Sequence, residues 1–242
     1  MLDPQRTPAA EVFDALPVFP LPNIVFLPGM VLPLNVFEPR YLQLVDHVLE
    51  GGMHVGVPLL RPGPFPTGVA PRFEPIFGVG RLIFHHELPD GRRFIRLEGL
   101  GRVETIEELP QEHEFRQVRV RDLPEDSPRD GGAFEILKAQ VERMARTFDD
   151  EDREMVHSIL RLDDPRVIMY AFAALLPNVE LLKAAELGQE PVFGHPCPYL
   201  EFQQQCLAAP DADARTELLM TRAGSLLDEL GESGRFPVAI MN

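Results

Sequence analysis

The chain has 242 residues, 45% of them hydrophobic, with 38 acidic and 23 basic side chains and a net charge of −15. That balance supports a sizeable core and weighs against nucleic-acid binding, which relies on Lys and Arg neutralising phosphates, and no run approaches the apolar length that spans a bilayer. The opening MLDPQRTPAAEVFD lacks the basic and apolar regions of a secretory signal, and only Cys197 and Cys206 are available for a disulfide, so the expected location is a reduced cytoplasm.

Leu16 to Tyr41 is apolar and rich in proline. Leu16 to Phe19 is predicted to be a strand, which Pro17, Pro20 and Pro22 confine to an edge or a bulge because proline donates no ladder bond. Pro28-Gly29 signals a turn, and Val31 to Phe37 a second strand. Glu38-Pro39 opens a helix with proline at its first position, and Leu42, Val45, Val48 and Leu49 mark its buried face up to Gly51-Gly52. The next stretch reads as all-β: His54 to Leu60, Ile76 to His86, Arg93 to Glu98, Arg102 to Ile106 and Phe115 to Arg121. Gly78 and Gly80 suggest a bend or close backbone approach, and Pro89-Asp90-Gly91 a hairpin turn. Seven short strands suit a closed or nearly closed barrel. The Pro- and Phe-bearing loop Arg61 to Pro75 interrupts them.

Pro124 to Gly132 reads as a linker, after which the apolar period shifts from two to about 3.6. Phe134, Leu137, Val141, Met144 and Phe148 form one stripe, and Met155, Val156, Ile159 and Leu160 begin another. Asp164-Pro165 opens a helix carrying Ile168, Ala171, Phe172, Leu175 and Leu176, which Pro177 is expected to end. A last helix from Asp211 to Asp213 onward buries Leu218, Leu219, Leu226, Leu227 and Leu230. Residues 1–125 carry a charge of −5 and residues 126–242 a charge of −10. The expected organisation is α+β: a small β-barrel subdomain over 1–125 with one early helix, then a helical bundle subdomain over 126–242.

The ordered run Leu16 to Leu21, Phe26 to Gly29, Leu32 to Leu34 and Phe37-Glu38-Pro39-Arg40-Tyr41 resembles the opening of the Lon protease amino-terminal domain. The resemblance weakens after about Glu125 but covers most of the chain. It implies a PUA-like barrel followed by a helical subdomain, acting in substrate recognition within a bacterial-type ATP-dependent protease family. Leu175-Leu176-Pro177, and Leu207 to Asp211 with Ala214-Arg215, resemble later landmarks of that family. Between them the chain departs from the pattern, with a family-atypical insertion near 179–198.

The chemistry of catalysis is missing from the pattern. There is no G-x-x-x-x-G-K-[ST] phosphate loop, no region matching the family's Ser-Lys peptidase domain, and no plausible triad, so the expectation is a protein that is not an enzyme and needs no cofactor. His195, Cys197 and Cys206 are too few for a structural zinc site. His85 and His86 face opposite sides of one strand, and no metal is expected. Pro28, Gly29, Phe37, Glu38, Pro39, Arg40 and Tyr41 read as a structural motif. In it Arg40 ties the helix to the barrel, so Arg40→Ala is expected to hurt folding; a specificity pair with Glu38 is the functional alternative. Phe65 and Phe73 are either recognition anchors or rings tucked onto the barrel. Arg92, Arg93 and Arg96 form a basic cluster in sequence, an exposed strand face or an RNA site.

The resulting expectation is a stand-alone recognition module that binds unfolded or apolar segments of proteins and hands them to a protease or chaperone. Phe65 and Phe73 are its first candidate contacts, and Phe134 and Leu137, at the cleft between the two parts, its second. The alternative is an RNA- or nucleotide-binding PUA-like protein.

Overall fold

Proline, glycine and alternating apolar residues set the layout of the first unit. A computed structural model of the chain describes residues 13–63, 70–186 and 197–233. The chain divides into two compact units, with the division between Pro124 and Glu125. The first contains β1 (Leu16–Val18), β2 (Val31–Val36), α1 (Pro39–Glu50), β3 (His54–Val57), β4 (Ile76–Glu87), β5 (Arg93–Glu108) and β6 (Arg116–Leu123).

The strands pair in the order β2-β5-β4-β3-β1-β6, and β6 returns to β5. β5, β4, β3, β1 and β6 therefore form a closed ring. One long strand makes this closure possible: residues 93–98 of β5 pair with β2, and residues 102–108 pair with β6. The two strands expected at 93–98 and 102–106 are thus a single 16-residue strand, and the six named strands replace the seven predicted. Gly99 and Gly101, which interrupt the apolar alternation, lie inside it.

The barrel interior holds two apolar clusters. One gathers Phe26, Leu32, Val36, Ile95, Leu97 and Phe115 beneath α1; the other gathers Leu16, Val18, Phe77, Val79, Val103, Val118 and Val120. α1 buries Tyr41, Leu44, Val45 and Val48, so its inward face is centred one residue away from the predicted stripe. Leu42 and Leu49 pack at its margin. Gly78 marks a close approach: a Cβ there would lie 1.9 Å from the Phe26 carbonyl oxygen. No side chain fits at that distance, so β4 and the segment before β2 can pack only with glycine between them.

The second unit contains α2 (Gly131–Ala145), α3 (Asp150–Leu160), α4 (Pro165–Glu186), α5 (Pro198–Ala208) and α6 (Ala212–Ser233). Side-chain caps set the starts of α2, α3 and α6. Asp130 accepts from the Ala133 N–H (3.1 Å), Asp149 from Asp152 (2.9 Å) and Asp211 from Ala214 (2.8 Å). The stripe Phe134, Leu137, Val141, Met144 and Phe148 is buried throughout. α4 does not stop at Pro177 but runs on to Glu186. Leu175, Leu176 and Val179 are buried on either side of that proline, so packing outweighs the lost hydrogen bond, a cost of about 3 kcal/mol. On α6 the buried residues are Ala212, Arg215, Thr216, Leu219, Ala223 and Leu226. Leu218 and Leu227 lie at its margin. No helix among the described residues is long and apolar enough to cross a membrane.

Candidate functional site

The motif from Pro28 to Tyr41 performs several jobs. Gly29 turns the chain at φ +81° and its N–H donates to the Gly99 carbonyl (2.9 Å), while the Gly99 N–H donates to Met30 (2.8 Å). This exchange locks β2 to β5. The Tyr41 and Leu42 N–H groups both donate to the Glu38 carbonyl (2.9 Å each), and Pro39 occupies the first helical turn, where no N–H is needed. Tyr41 stacks on Phe19 with centroids 3.9 Å apart, and burial pushes its phenol pKa up.

Arg40 departs from expectation. It pairs at 2.6 Å with Glu38, two residues away, and the two side chains are 52% and 42% exposed. A local pair in water is worth roughly 0–1 kcal/mol, so Arg40 does not tie α1 to the barrel. Phe37 also departs: it is 65% exposed, and core packing does not account for it.

Phe65 lies outside the described residues. Phe73 is tucked onto the barrel, half-buried against the second apolar cluster. Its ring meets Phe77 edge-on at 6.1 Å, and the Arg116 guanidinium lies 4.4 Å above it. Arg61 pairs with Glu74 (3.0 Å) and Arg116 donates to the Pro71 carbonyl (2.8 Å), fastening that end of the loop. Phe134 and Leu137 are 7% and 0% exposed within the helical unit's own stripe, so neither offers a surface to a partner.

Among the described residues the exposed large aromatics, Phe37 and Phe84, lie elsewhere, on the outer face of β2, β5 and β4. Cross-strand register sets its rows. Val31, Glu98 and Arg81 form one row, Pro33, Arg96 and Phe84 the next, and Asn35, Phe94 and His86 the third, with Phe37 following β2 at the far end. Phe84 is 43% exposed. It meets Phe94 edge-on at 6.1 Å, and the Arg96 guanidinium lies 5.2 Å from one ring centroid and 5.8 Å from the other. Arg92 instead pairs with Asp90 (2.7 Å), and Arg93 with Asp46 of α1. The basic cluster of the sequence therefore dissolves into two neutralised cations and one held on aromatic rings.

Half of this face was legible. In Arg93 to Glu98, Ile95 and Leu97 are the core positions, which puts Phe94 and Arg96 outside. Phe84 was not legible, because alternation from buried Leu82 places it inward. A register shift between Leu82 and Phe84 reverses that.

The helical unit contains a buried polar network. Arg215 is fully buried, donates to the Cys206 carbonyl (2.9 Å), pairs with Glu125 (3.1 Å) and lies 4.3 Å over the Tyr170 ring. The Tyr170 hydroxyl donates to Glu125 at 2.5 Å. Burial pushes the Cys206 thiol up to about 12, which leaves it protonated and unreactive.

A cleft of about 510 Å³ along α5 and α6 is lined by Phe202, Glu217, Thr221, Arg222 and Ser225. The Ser225 hydroxyl donates to the Thr221 carbonyl (3.1 Å), which ties it into its own helix. Another, of about 240 Å³, is bounded by Asp46, His85, Glu87 and Arg93. No group of three His, Cys, Asp or Glu side chains among the described residues could hold a metal ion. His195 lies outside them.

Comparison with known proteins agrees with this architecture. The profile of the ATP-dependent protease La (LON) substrate-binding domain matches residues 15–183. The Lon protease of Cytophaga hutchinsonii is 34% identical over 121 residues, which is 49% of this chain and 14% of that protein. Lon protease 2 of Sorangium cellulosum is 28% identical over 234 residues, 93% of this chain and 26% of that protein. The chain thus spans under a third of either relative. The N-terminal domain of Mycobacterium avium complex Lon protease has the same fold, with a TM-score of 0.62 at 15% identity over 87% of this chain and 98% of that one. A Lon N-terminal domain protein from Xanthomonas campestris gives 0.56 at 24% identity, over 86% and 97%. With more than half of its length matched, the chain belongs to the Lon substrate-binding domain family.

Proposed function

We propose that this chain is a non-catalytic recognition module that binds unfolded or apolar protein segments on the outer β2–β5–β4 face, with handover to a protease or chaperone as the onward step. The observation that carries the reading is the exposure of Phe37 and Phe84 on one face with Phe94 and Val31. Surface aromatics that fill no core are the usual anchors of protein recognition. The family's substrate-binding description is consistent with it. The free edge of β2 is a poor site for strand addition, since Pro33 offers no N–H there. Binding therefore relies on side chains. The net charge of −15 disfavours nucleic acid at long range.

The test is titration of a fluorescent, reduced and carboxamidomethylated model protein with wild type and with the Phe37→Ala/Phe84→Ala double variant. Each ring, as an anchor, is worth about 1–2 kcal/mol, so affinity falls at least tenfold while the melting temperature barely moves. Unchanged affinity in a normally melting double variant removes this face from the site.

A further inference from the structure

Arg96 lies in the middle row of this face, between the row of Val31, Glu98 and Arg81 and the row of Asn35, Phe94 and His86. Its neighbours in register are Pro33 on β2 and Phe84 on β4. Two rings hold its guanidinium, at 5.2 and 5.8 Å. Asp90 is taken by Arg92, and Asp46 by Arg93. Arg96 itself makes no carboxylate pair among the described residues. A guanidinium laid on aromatic faces keeps its N–H fork directed sideways and outward, and it loses little freedom when a planar anion binds.

From this we infer that the face selects apolar segments carrying one carboxylate, an Asp or Glu side chain seated on Arg96. The inference rests on the proposed recognition function and specifies its substrate class. Strand spacing sets the pattern. Alternate residues of an extended segment point the same way, about 6.6–6.8 Å apart. A Glu on the Arg96 row then places the residues two before and two after it over Val31 and over Phe94 with Phe37. The preferred segment is apolar-x-acidic-x-apolar.

A polyacidic segment does not fit, because the chain's own net charge of −15 repels it. Single-stranded nucleic acid fits less well for two reasons. The guanidinium occupies the ring faces on which bases would stack, and the two adjacent arginines are already neutralised.

The experiment uses two fluorescein-labelled synthetic peptides of roughly 11 residues with a central Leu-Ser-Glu-Ser-Phe or Leu-Ser-Gln-Ser-Phe, long enough to span the three rows. Anisotropy is read with wild type, Arg96→Gln, Arg96→Lys and Phe84→Ala. The Glu peptide is expected to bind wild type about tenfold tighter than the Gln peptide, as a charge-assisted bidentate bond implies. In Arg96→Gln the ratio falls to near one with Gln-peptide affinity kept, and Arg96→Lys lies between. Equal binding of the two peptides to wild type, both weakened by Phe84→Ala, overturns the carboxylate inference and leaves the recognition function standing. A Glu preference that persists in Arg96→Gln also overturns it. Failure of both peptides to bind wild type overturns both readings, and tighter binding of an oligouridylate than of the Glu peptide replaces them with nucleic acid. Thermal melting of each variant reports folding, and Arg96, on the exposed face, is expected to leave it unchanged.

Discussion

The barrel and the helical unit differ in which aromatic rings reach solvent and in how each places its charges. The barrel leaves Phe37 and Phe84 in solvent and pairs Arg40 and Arg92 at its surface, and of its described cations Arg102 alone is buried. The helical unit buries Phe134, Tyr170, Phe172 and Phe202, and it also buries a charge, Arg215, with its partner Glu125. A unit that spends apolar area on solvent and one that desolvates an ion pair are under different demands. The exposed rings of the first are what the proposed recognition role draws on, and the buried pair of the second holds its own helices together.

The sharpest way to break this contrast is Arg215→Ala. Removing one partner of a buried pair costs about 3–5 kcal/mol because the other charge is left without compensation. Urea denaturation of the full chain should show a loss of that size, assigned to the helical unit by exposure of the Cys206 thiol to a thiol reagent. A loss under 1 kcal/mol would mean that Arg215 is not the keystone of the network.

Gly78→Ala comes next, on the barrel side. Its methyl must displace the Phe26 carbonyl from 1.9 Å, and overpacking of this kind costs typically about 1–3 kcal/mol. A lowered melting temperature is expected, with peptide binding lost only in proportion to the unfolded fraction.

The smallest effect belongs to Arg40→Ala. Its exposed pair with Glu38 and its position 4.7 Å over Tyr41 predict a stability change within about 1 kcal/mol. A larger loss would restore the view that this side chain anchors α1.

Local signals decided much of the molecule. Prolines and alternation placed β1 and β2, Asp caps placed the starts of α2, α3 and α6, and the 3.6-residue stripe of α2 is buried as its spacing required. These are short-range effects of φ restriction, capping and amphipathicity, and they act within a few residues. The structural motif was legible as an ordered unit, although exposed Phe37 and surface-paired Arg40 were not.

Other features depended on residues far apart in sequence. β5 is one strand because its two halves find different partners, β2 and β6, and ring closure fixes both. α4 continues through Pro177 because Leu176 and Val179 have a core to enter. Phe73 is tucked because Arg116, over forty residues later, reaches it. The candidate face follows the same rule: the register shift beside Phe84 reverses the side of the sheet on which its ring falls. Sequence determined which residues could alternate, cap or turn. Tertiary structure decided which side of each element met solvent, because register and burial are set by partners that local spacing does not contain.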